Sequence, residues 1–392
     1  MAARTGHSMR RQRPIRVMRI IARMNVGGPA WQTSVLTRQI DPDRFETRLL
    51  VGSTGGDEAD FLALRDPELP VAVIPGLGRS PGPLNDFRAF WGICREIRRF
   101  RPDIVHTHTA KAGVLGRLAA MVCRVPIRVH TYHGHLLYGY FSPMASGVIR
   151  IVERILARRT TALVSVGKRV RDDLLAAGIG QSASYVVVPP GVVAPRAVDG
   201  NSARQLLGLP EGVPVALFVG RLTSIKRVDR LIEAFALLLD QVPKAVLVVA
   251  GEGDLLDEMV TQAEPLGSSV RFLGWRSDLA LLYAAADLVA ISSDNEGMPV
   301  TLIEAAMAGV PGVTTDVGSA GEVVEHGVTG RVVPLHASSM ADAMVDLLSD
   351  RDLRGQMGEQ AAIRARERFT VERLVADHES LYARLAEGRS TG

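Results

Sequence analysis

The sequence predicts two α/β domains, each built on a parallel sheet flanked by helices. Its 392 residues exceed what one hydrophobic core usually supports. From residue 15 on, short aliphatic runs alternate with amphipathic stretches, and this alternation pauses at the Pro-, Gly- and Ala-rich segment 189–201 before it resumes. Because alternating strands and helices form parallel sheets with right-handed crossovers, we expect two doubly wound, Rossmann-like sheets.

The first series of elements predicts seven strands. The helices between them are predicted over 57–64, 84–100 and 143–158, with others beginning near residues 30 and 112. Short, continuous aliphatic runs are typical of strands that are buried on both faces. The predicted strands are IRVMRIIA, ETRLLVG, VAVIPG, DIVHTH, IRVHTYH, TALVSVG and YVVVPPG.

The second series begins at residue 215, and a long helical segment follows it from residue 338 to about 387 with a break near 366–370. A segment of that length is able to reach back to the first domain. The predicted strands are VALFVG, AVLVVAG, VRFLGW, DLVAISS and VPGVTT. The predicted domains are a disordered basic lead at 1–14, an N-terminal domain at 15–192, a C-terminal domain at 193–369 and a returning helix at 370–392.

Composition excludes several classes of protein. Apolar residues make up 47% and charged residues 22%, as in ordinary globular domains, and the longest apolar runs are too short to span a bilayer. Cys94 and Cys123 lack the spacing of a disulfide framework or a zinc site. The net charge of +4 fits an anionic ligand or membrane surface and is too weak to indicate nucleic acid. We expect a cytoplasmic protein, with association at the inner face of the membrane left open.

Two carboxylates, Glu296 and Glu304, lie on either side of a predicted turn from strand to helix. Loops at the carboxyl ends of parallel strands line the ligand crevice of open α/β sheets. The Glu304 carboxylate suits a vicinal diol such as a ribose, and Glu296 suits a sugar hydroxyl. The alternatives are a helix-dipole acid at Glu304 and a solvated loop charge at Glu296.

The same turn offers backbone N–H groups to an anion, because Pro299 is predicted to open the helix. Glycine at position 297 permits close approach of a ligand. The residues expected to contribute to phosphate binding here are Gly297, Met298, Pro299, Val300 and Thr301.

Arg221 and Lys226 follow the first strand of the second series. A planar guanidinium and a compact ammonium together suit a diphosphate, whose charge grows as it leaves. The alternative is that both pair with surface carboxylates.

The runs VGRLTSIKRVDRLIEAF, GEG, VRFLGW and EGMPVTLIEAAMAGVP resemble the donor-binding domain of retaining GT-B glycosyltransferases of family 4. The resemblance implies that Arg221 and Lys226 grip the diphosphate of a nucleotide sugar and that Glu304 binds its ribose. It also implies that Glu296 lies by the donor sugar and that Gly274 and Trp275 border the base. The run HTHTAKAGVLGRLAA is similar to a subgroup that assembles capsules, exopolysaccharides and other surface glycans.

The first series supplies further candidate residues. Gly27 and Gly28 follow the first strand and let backbone approach the donor, unless they form a plain turn. His133 ends the fifth strand, and family 4 members commonly place a histidine there against the donor sugar. The expected acceptor-binding residues, with structural roles as the alternative for the histidines and solvent exposure for the lysine, are Asn25, His108, Lys111 and His135.

The expected activity is retaining transfer of a hexosyl or N-acetylhexosaminyl unit from a UDP-sugar, or a GDP-sugar, to a glycan or lipid-linked acceptor. The donor is expected between the domains. The residues expected to carry catalysis are His133, Glu296, Arg221 and Lys226. No metal or other cofactor is expected, because neither Asp-x-Asp motif lies at a predicted strand end.

Three rival functions stay open at this point. A nucleotide-sugar epimerase would use the same two-domain fold, since a fold does not fix a function. A nicotinamide dehydrogenase would need a glycine fingerprint that this sequence lacks, and a binding protein without activity is the third.

Residues 141–159 combine apolar residues at helical spacing with four arginines. This pattern suits either contact with an anionic membrane or an ordinary domain helix.

Overall fold

The structure, a computed structural model, describes residues 13–55, 60–78, 82–134 and 143–390 of the chain. Most of the predicted lead at 1–14, the start of the helix predicted at 57–64 and the candidate His135 therefore lie outside the described residues.

Within the described residues the first sheet has seven strands, as predicted. Their bounds are β1 (Ile15–Ile21), β2 (Phe45–Val51), β3 (Val71–Val73), β4 (Ile104–His108), β5 (Ile127–Tyr132), β6 (Ala162–Ser165) and β7 (Tyr185–Val187). Their order across the sheet is β3-β2-β1-β4-β5-β6-β7, and β1 pairs in parallel with both β2 and β4. The strand order therefore reverses between β1 and β4, which makes a topological switch point there.

The second sheet repeats this arrangement with six described strands. Their bounds are β8 (Val215–Val219), β9 (Val246–Ala250), β10 (Val270–Gly274), β11 (Leu288–Ile291), β12 (Gly312–Thr315) and β13 (Gly330–Val333). The order is β10-β9-β8-β11-β12-β13, so the switch point lies between β8 and β11. Sequence reasoning missed β13, a four-residue edge strand that is half-buried at Arg331.

Helices connect the strands and extend to the C-terminal end. In the first half of the chain they are α1 (Gly28–Gln39), α2 (Phe61–Arg65), α3 (Pro83–Phe100), α4 (Ala110–Val122), α5 (Pro143–Ala157), α6 (Lys168–Ala176) and α7 (Gly200–Leu206). In the second half they are α8 (Val228–Leu239), α9 (Leu256–Ala263), α10 (Leu279–Ala285), α11 (Val300–Met307), α12 (Ala320–Val323), α13 (Ala337–Ser349), α14 (Arg351–Arg368) and α15 (Val371–Ser390). Three helices thus replace the C-terminal segment predicted to break once, because Asp350 also ends α13 and caps α14 through the N–H of Leu353.

Side chains alternate between two cores, one on each face of a sheet. In β1, Met18 and Ile20 pack with residues of α3 and α4, whereas Ile21 packs with residues of α1 and α2. In β8, Leu217 packs toward α10 and α11, and Phe218 packs toward α8 and α13. This period of two, with apolar residues on both faces, explains why the strands were recognisable as continuous apolar runs.

The described chain forms two compact units. The first contains the described residues up to His130, Arg159–Ala162 and the chain from Val375 on; the second contains Thr131–Arg158 and Leu163–Leu374. In the first unit, Tyr382 of α15 contacts Phe45 and His106, so the C-terminal helix packs on the first sheet as predicted. The domain boundaries at residues 192 and 369 stay a prediction.

Candidate functional site

The switch point of the second sheet brings two polar loops together. Strands β8 and β11 are direct neighbours, with Ala216 opposite Leu288. The loops that leave their carboxyl ends therefore run side by side, and the N–H of Asp294 donates to the carbonyl of Ile225 over 2.9 Å. Ligand crevices of open α/β sheets form at such points.

Lys226 and Glu296 form the centre of this site. The Lys226 ammonium donates to Glu296 Oε1 over 2.6 Å, and the hydroxyl of Ser293 donates to the same oxygen over 2.6 Å. The Lys226 side chain is 23% exposed and that of Glu296 is 9% exposed. A charge pair that is half shielded from water is held more firmly than one on the open surface. Sequence reasoning selected both charges but missed Ser293, which orients the carboxylate.

Arg221 lies on the exposed side of the turn after β8. Among the described residues it forms no ion pair, in contrast to the arginines that follow it. Arg230 donates to the carbonyl of Ser292 over 2.7 Å and to Asp294 over 2.6 Å. An arginine of α8 therefore holds the loop that follows β11. The sequence did not identify Arg230, because it is the third residue of α8 and its partners lie more than 60 residues further along the chain.

Glu304 lies in the second turn of α11, next to a buried tyrosine of α10. The Tyr283 hydroxyl donates to Glu304 Oε2 over 2.7 Å. Burial and the neighbouring carboxylate hold the pKa of Tyr283 well above its usual value, so the phenol stays protonated and able to donate. Tyr283 thereby orients Glu304, and sequence reasoning did not identify it.

The first turn of α11 has the features expected of an anion site. Pro299 is the N-cap rather than a helical residue, and its side chain cannot accept a hydrogen bond from the N–H groups that follow. Met298 is 6% exposed and packs in the core, while Val300 and Thr301 are half-buried. Any phosphate contact of Met298 would therefore involve its backbone N–H, which is the group that the sequence predicts for this turn.

Backbone segments cross closely at Gly297 and Gly318. A Cβ atom on Gly297 would lie 1.9 Å from the carbonyl oxygen of His133, and one on Gly318 would lie 1.7 Å from that of Glu296. Gly318 also has φ +48°, which disfavours other residues. His133 and Glu296, selected separately from the sequence, are therefore adjacent through Gly297 in the second unit. Gly318 was not identified because nothing in the sequence shows which segment crosses it.

Gly274 and Trp275 lie at the end of β10, beside the loop after β9. The N–H of Gly251 donates to the carbonyl of Gly274 over 2.8 Å, and Glu252 accepts from the N–H of Trp275 over 3.3 Å. The Trp275 side chain is 37% exposed, so its ring remains accessible. The expected role of this pair at a base stays a prediction.

Glu322 has a structural role that the sequence did not indicate. Its carboxylate accepts hydrogen bonds from the N–H groups of Lys168 and Arg169 over 3.0 and 2.9 Å. These are the first residues of α6, so Glu322 caps that helix from a distant part of the second unit.

The switch point of the first sheet holds the remaining candidates of the first unit. Asn25 bridges to Asp60, and Gly27 is the extended N-cap of α1, which begins at Gly28. A Cβ atom on Gly27 would meet nothing closer than 4.0 Å. Thr109, at the end of β4, has φ 65°, a conformation that costs a β-branched residue on the order of 1–3 kcal/mol. Such strain is typical of functional turns, and sequence reasoning did not anticipate it.

The histidines of β4 are buried in the first unit. His106 Nδ1 lies 2.6 Å from the Tyr382 hydroxyl, and the rings of His106 and His108 are 4.3 Å apart. His108 is 1% exposed, which agrees with the structural alternative more than with an open acceptor subsite. The Lys111 ammonium lies 2.7 Å from Asp86 and donates to the carbonyl of Gly76 over 3.2 Å. The acceptor roles of Asn25, His108 and Lys111 stay predictions.

In the part of the chain that the structure describes, no three His, Cys, Asp or Glu side chains lie close enough to hold a metal ion. The polar groups that do converge are the cations and carboxylates of the second switch point. That set can bind phosphate oxygens and sugar hydroxyls.

Known glycosyltransferase families match most of the chain. Residues 27–191 match the family Glycosyl transferase 4-like domain, and residues 200–364 match the family Glycosyl transferases group 1. A D-inositol 3-phosphate glycosyltransferase of Corynebacterium jeikeium is 34% identical over 73% of this chain and 74% of its own length. The chain belongs to glycosyltransferase family 4. The predicted family is thereby confirmed. In this glycosyltransferase, the runs around Lys226 and Glu296 that resemble the family lie in the two loops of the second switch point.

Other relatives agree. The glycosyltransferase is 27% identical to the UDP-Gal:alpha-D-GlcNAc-diphosphoundecaprenol alpha-1,3-galactosyltransferase of Escherichia coli, over 79% of this chain and 82% of that protein. The crystal structure of Anabaena HepE in complex with UDP-glucose is similar with a TM-score of 0.78 and 25% identity, covering 96% of this chain and 100% of that one. The GT-B fold class is confirmed as well. No described helix combines the length and the apolar character needed to cross a membrane.

Proposed function

We propose that this glycosyltransferase moves a hexosyl or N-acetylhexosaminyl unit from a nucleotide diphosphate sugar to a glycan or lipid-linked acceptor, with retention at the anomeric carbon. UDP is favoured over GDP as the nucleotide. The names of two similar proteins support a UDP-sugar: the E. coli relative is named for UDP-Gal, and HepE was solved with UDP-glucose.

The observation that carries the proposal is the Lys226–Glu296 pair at the switch point of the second sheet, with Glu304 on α11, the helix that follows the Glu296 loop. Glu304, oriented by Tyr283, binds the ribose hydroxyls. Glu296, held by Lys226 and Ser293, faces a hydroxyl of the donor sugar. Gly274 and Trp275 border the base.

Arg221 and Lys226 stabilise the diphosphate as it leaves, and the N–H groups in the first turn of α11 assist them. The Lys226 ammonium has three donors, so it can bind Glu296 and a phosphate oxygen at once. His133, beside Gly297, donates to the donor sugar. No protein nucleophile is assigned, and the leaving phosphate oxygen accepts the proton of the acceptor hydroxyl.

The reaction is tested by incubating the protein with UDP- and GDP-sugars and an acceptor extract, and by measuring free nucleoside diphosphate. We expect UDP release that depends on the acceptor, and a product whose anomeric proton coupling matches that of the donor. A product of inverted configuration would refute retention. Conversion of the nucleotide sugar without release of UDP would instead identify an epimerase.

Metal independence is a separate part of the proposal. Because Arg221 and Lys226 neutralise the diphosphate, we expect the same rate in excess EDTA as in added Mg²⁺. Loss of activity in EDTA that Mg²⁺ restores would overturn this part and leave the transfer reaction standing.

The acceptor and the place of the reaction are proposed from the relatives. A diphosphoundecaprenol-linked sugar is the acceptor named for the E. coli relative, and the subgroup motif suggests assembly of a surface polysaccharide. We infer a cytoplasmic enzyme that contacts the inner face of the membrane. Helix α5 supports such contact, since Val148, Ile151 and Ile155 are each more than half exposed on one side of it. Transfer to a polyprenyl-diphosphate sugar in mixed micelles tests the acceptor class.

A further inference from the structure

Helix α3 has a second apolar face that remains exposed among the described residues. Leu84, Phe87 and Trp91 are 70%, 65% and 46% exposed, and their spacing of three and four residues places them on one side of the helix. The rings of Phe87 and Trp91 meet edge to face with centroids 6.1 Å apart. Adjacent large apolar side chains on a surface indicate an interaction site more than scattered single ones do.

The opposite side of α3 already anchors the helix in the first unit. Ala89, Ile93, Cys94 and Ile97 are all at most 3% exposed and pack with residues of β1 and α4. Leu84, Phe87 and Trp91 are not among the buried residues of this core, although the Trp91 ring contacts that of Phe90. These three residues can be changed without opening the core.

Positive charge lies along the same outward side. Arg88, Arg95, Arg98 and Arg99 are exposed, and none of them forms an ion pair with a described residue. At 100° per residue they fall within about 70° of the mean direction of Leu84 and Trp91. The two acids of α3 are on other sides: Asp86 pairs with Lys111 and Glu96 pairs with Arg48, each over 2.7 Å.

A second group of arginines follows α4. The thiol of Cys123, just after α4, donates over 3.8 Å to the carbonyl of Cys94, a buried residue inside α3. Directly after Cys123, a cavity of about 400 Å³ is lined by Arg124, Arg128 and Arg159 without an acidic residue. On α3 itself, exposed apolar side chains next to exposed arginines match the acyl and phosphate layers of a bilayer surface.

We propose that this outward face of α3 docks on an anionic lipid bilayer, with Leu84, Phe87 and Trp91 in the boundary between headgroups and acyl chains and the four arginines against lipid phosphates. A second copy of the chain fits the face less well. A symmetric dimer would bring the same surfaces together, and therefore arginines against arginines.

Vesicle flotation of the full-length protein tests the proposal. We expect flotation with phosphatidylglycerol vesicles, none with pure phosphatidylcholine vesicles, and release as salt is raised. Each surface arginine contributes about a fivefold change in partitioning, so Arg95→Gln/Arg98→Gln/Arg99→Gln should lower binding on the order of a hundredfold. Phe87→Ser/Trp91→Ser should lower it at least about tenfold. Leu206→Ser, at a position 74% exposed in α7, is the matched control and should float like the wild type.

Fluorescence supplies a readout at the site itself. The indole of Trp91 should shift to shorter wavelength on phosphatidylglycerol vesicles, and Trp91→Phe should keep binding while losing that shift. Circular dichroism and melting temperature like those of the wild type would show that each variant is folded.

Three results would overturn the proposal. The wild type does not float with anionic vesicles; or Val148→Ser/Ile151→Ser/Ile155→Ser in α5 abolishes flotation while the α3 variants float normally; or the α3 variants change only the oligomeric state in light scattering. Flotation involves no turnover. Its failure is therefore distinguishable from failure of the proposed reaction, which is measured by UDP release on detergent-solubilised acceptor.

Discussion

The two switch points of this glycosyltransferase have similar strand topology but opposite environments. At the second, Lys226 and Glu296 are partly exposed and paired across two loops. At the first, Arg19, His106 and His108 of β1 and β4 are almost completely buried under α15, where Tyr382 contacts both Arg19 and His106. Polar residues inside these strands of the first sheet are thus part of its core, whereas Lys226 and Glu296, in loops after strands of the second sheet, stay accessible.

The largest effect is expected from removing the cations of the second switch point. Lys226→Met and Arg221→Met remove cations proposed to stabilise the leaving diphosphate, so we expect each to lower kcat/KM on the order of a hundredfold to a thousandfold. UDP release measures this loss. Lys244→Met, at an exposed position, is the matched control and should be near wild type. Full activity in Lys226→Met would remove that residue from the site.

A smaller effect is expected at the ribose subsite. Glu304→Gln keeps an acceptor for the Tyr283 hydroxyl but loses the charge that binds the diol. Because the contact between Glu304 and the ribose is proposed to be equally strong in the ground state and the transition state, KM for the nucleotide sugar should rise about tenfold with little change in kcat. Tyr283→Phe, which only frees the carboxylate to rotate, should have the weaker effect. A change in kcat alone would contradict the assignment.

The crossing of backbones beside Glu296 is tested through stability. Gly297→Ala would place a Cβ atom 1.9 Å from the His133 carbonyl oxygen, so the loops must separate. We expect a loss of about 1–3 kcal/mol in the free energy of unfolding in urea. Gly355→Ala is the control, because its Cβ atom meets nothing within 4 Å in α14, and it should stabilise by about 0.5–1 kcal/mol. Equal stability of the two variants would argue against the close contact.

The smallest effect is expected at the first switch point and depends on pH. Burial, and then the charges of His108, His378, Arg19 and His130, hold the pKa of His106 well below its usual value. Between that low pKa and about 6.5, the unfolded chain binds a proton that the folded chain does not. The free energy of unfolding should therefore fall as pH drops below about 6.5, by at most about 1.4 kcal/mol per pH unit for this group.

His106→Asn provides the control for that pH effect. Asparagine keeps a hydrogen-bonding group near Tyr382 but cannot titrate, so its stability should fall less steeply between pH 7.5 and 5.5, whatever its stability at neutral pH. An unchanged slope would mean that His106 is not the group that couples pH to folding.

Sequence reasoning succeeded where the signal is local. The bounds of α3 and α5 were predicted to within one residue at each end, because each has one continuous apolar stripe and begins at or next to a proline. The contact of Lys226 with Glu296 is consistent with placing both residues after neighbouring parallel strands, whereas the role of Arg221 stays a prediction. Sequence reasoning failed at β13, whose four residues carry too little apolar periodicity, and at Asp350, where a single capping residue divides a helical pattern.

The two wound sheets, the family and the charged loops at the second switch point follow from the sequence alone, because strand periodicity and motif spacing are properties of adjacent residues. Other features appear only in the folded chain: Ser293 and Tyr283 orient the two glutamates, Glu322 caps α6, and α15 packs on His106 of β4. These contacts depend on which distant segments meet. Burial and hydrogen-bond partners are properties of that packing rather than of any local stretch of chain.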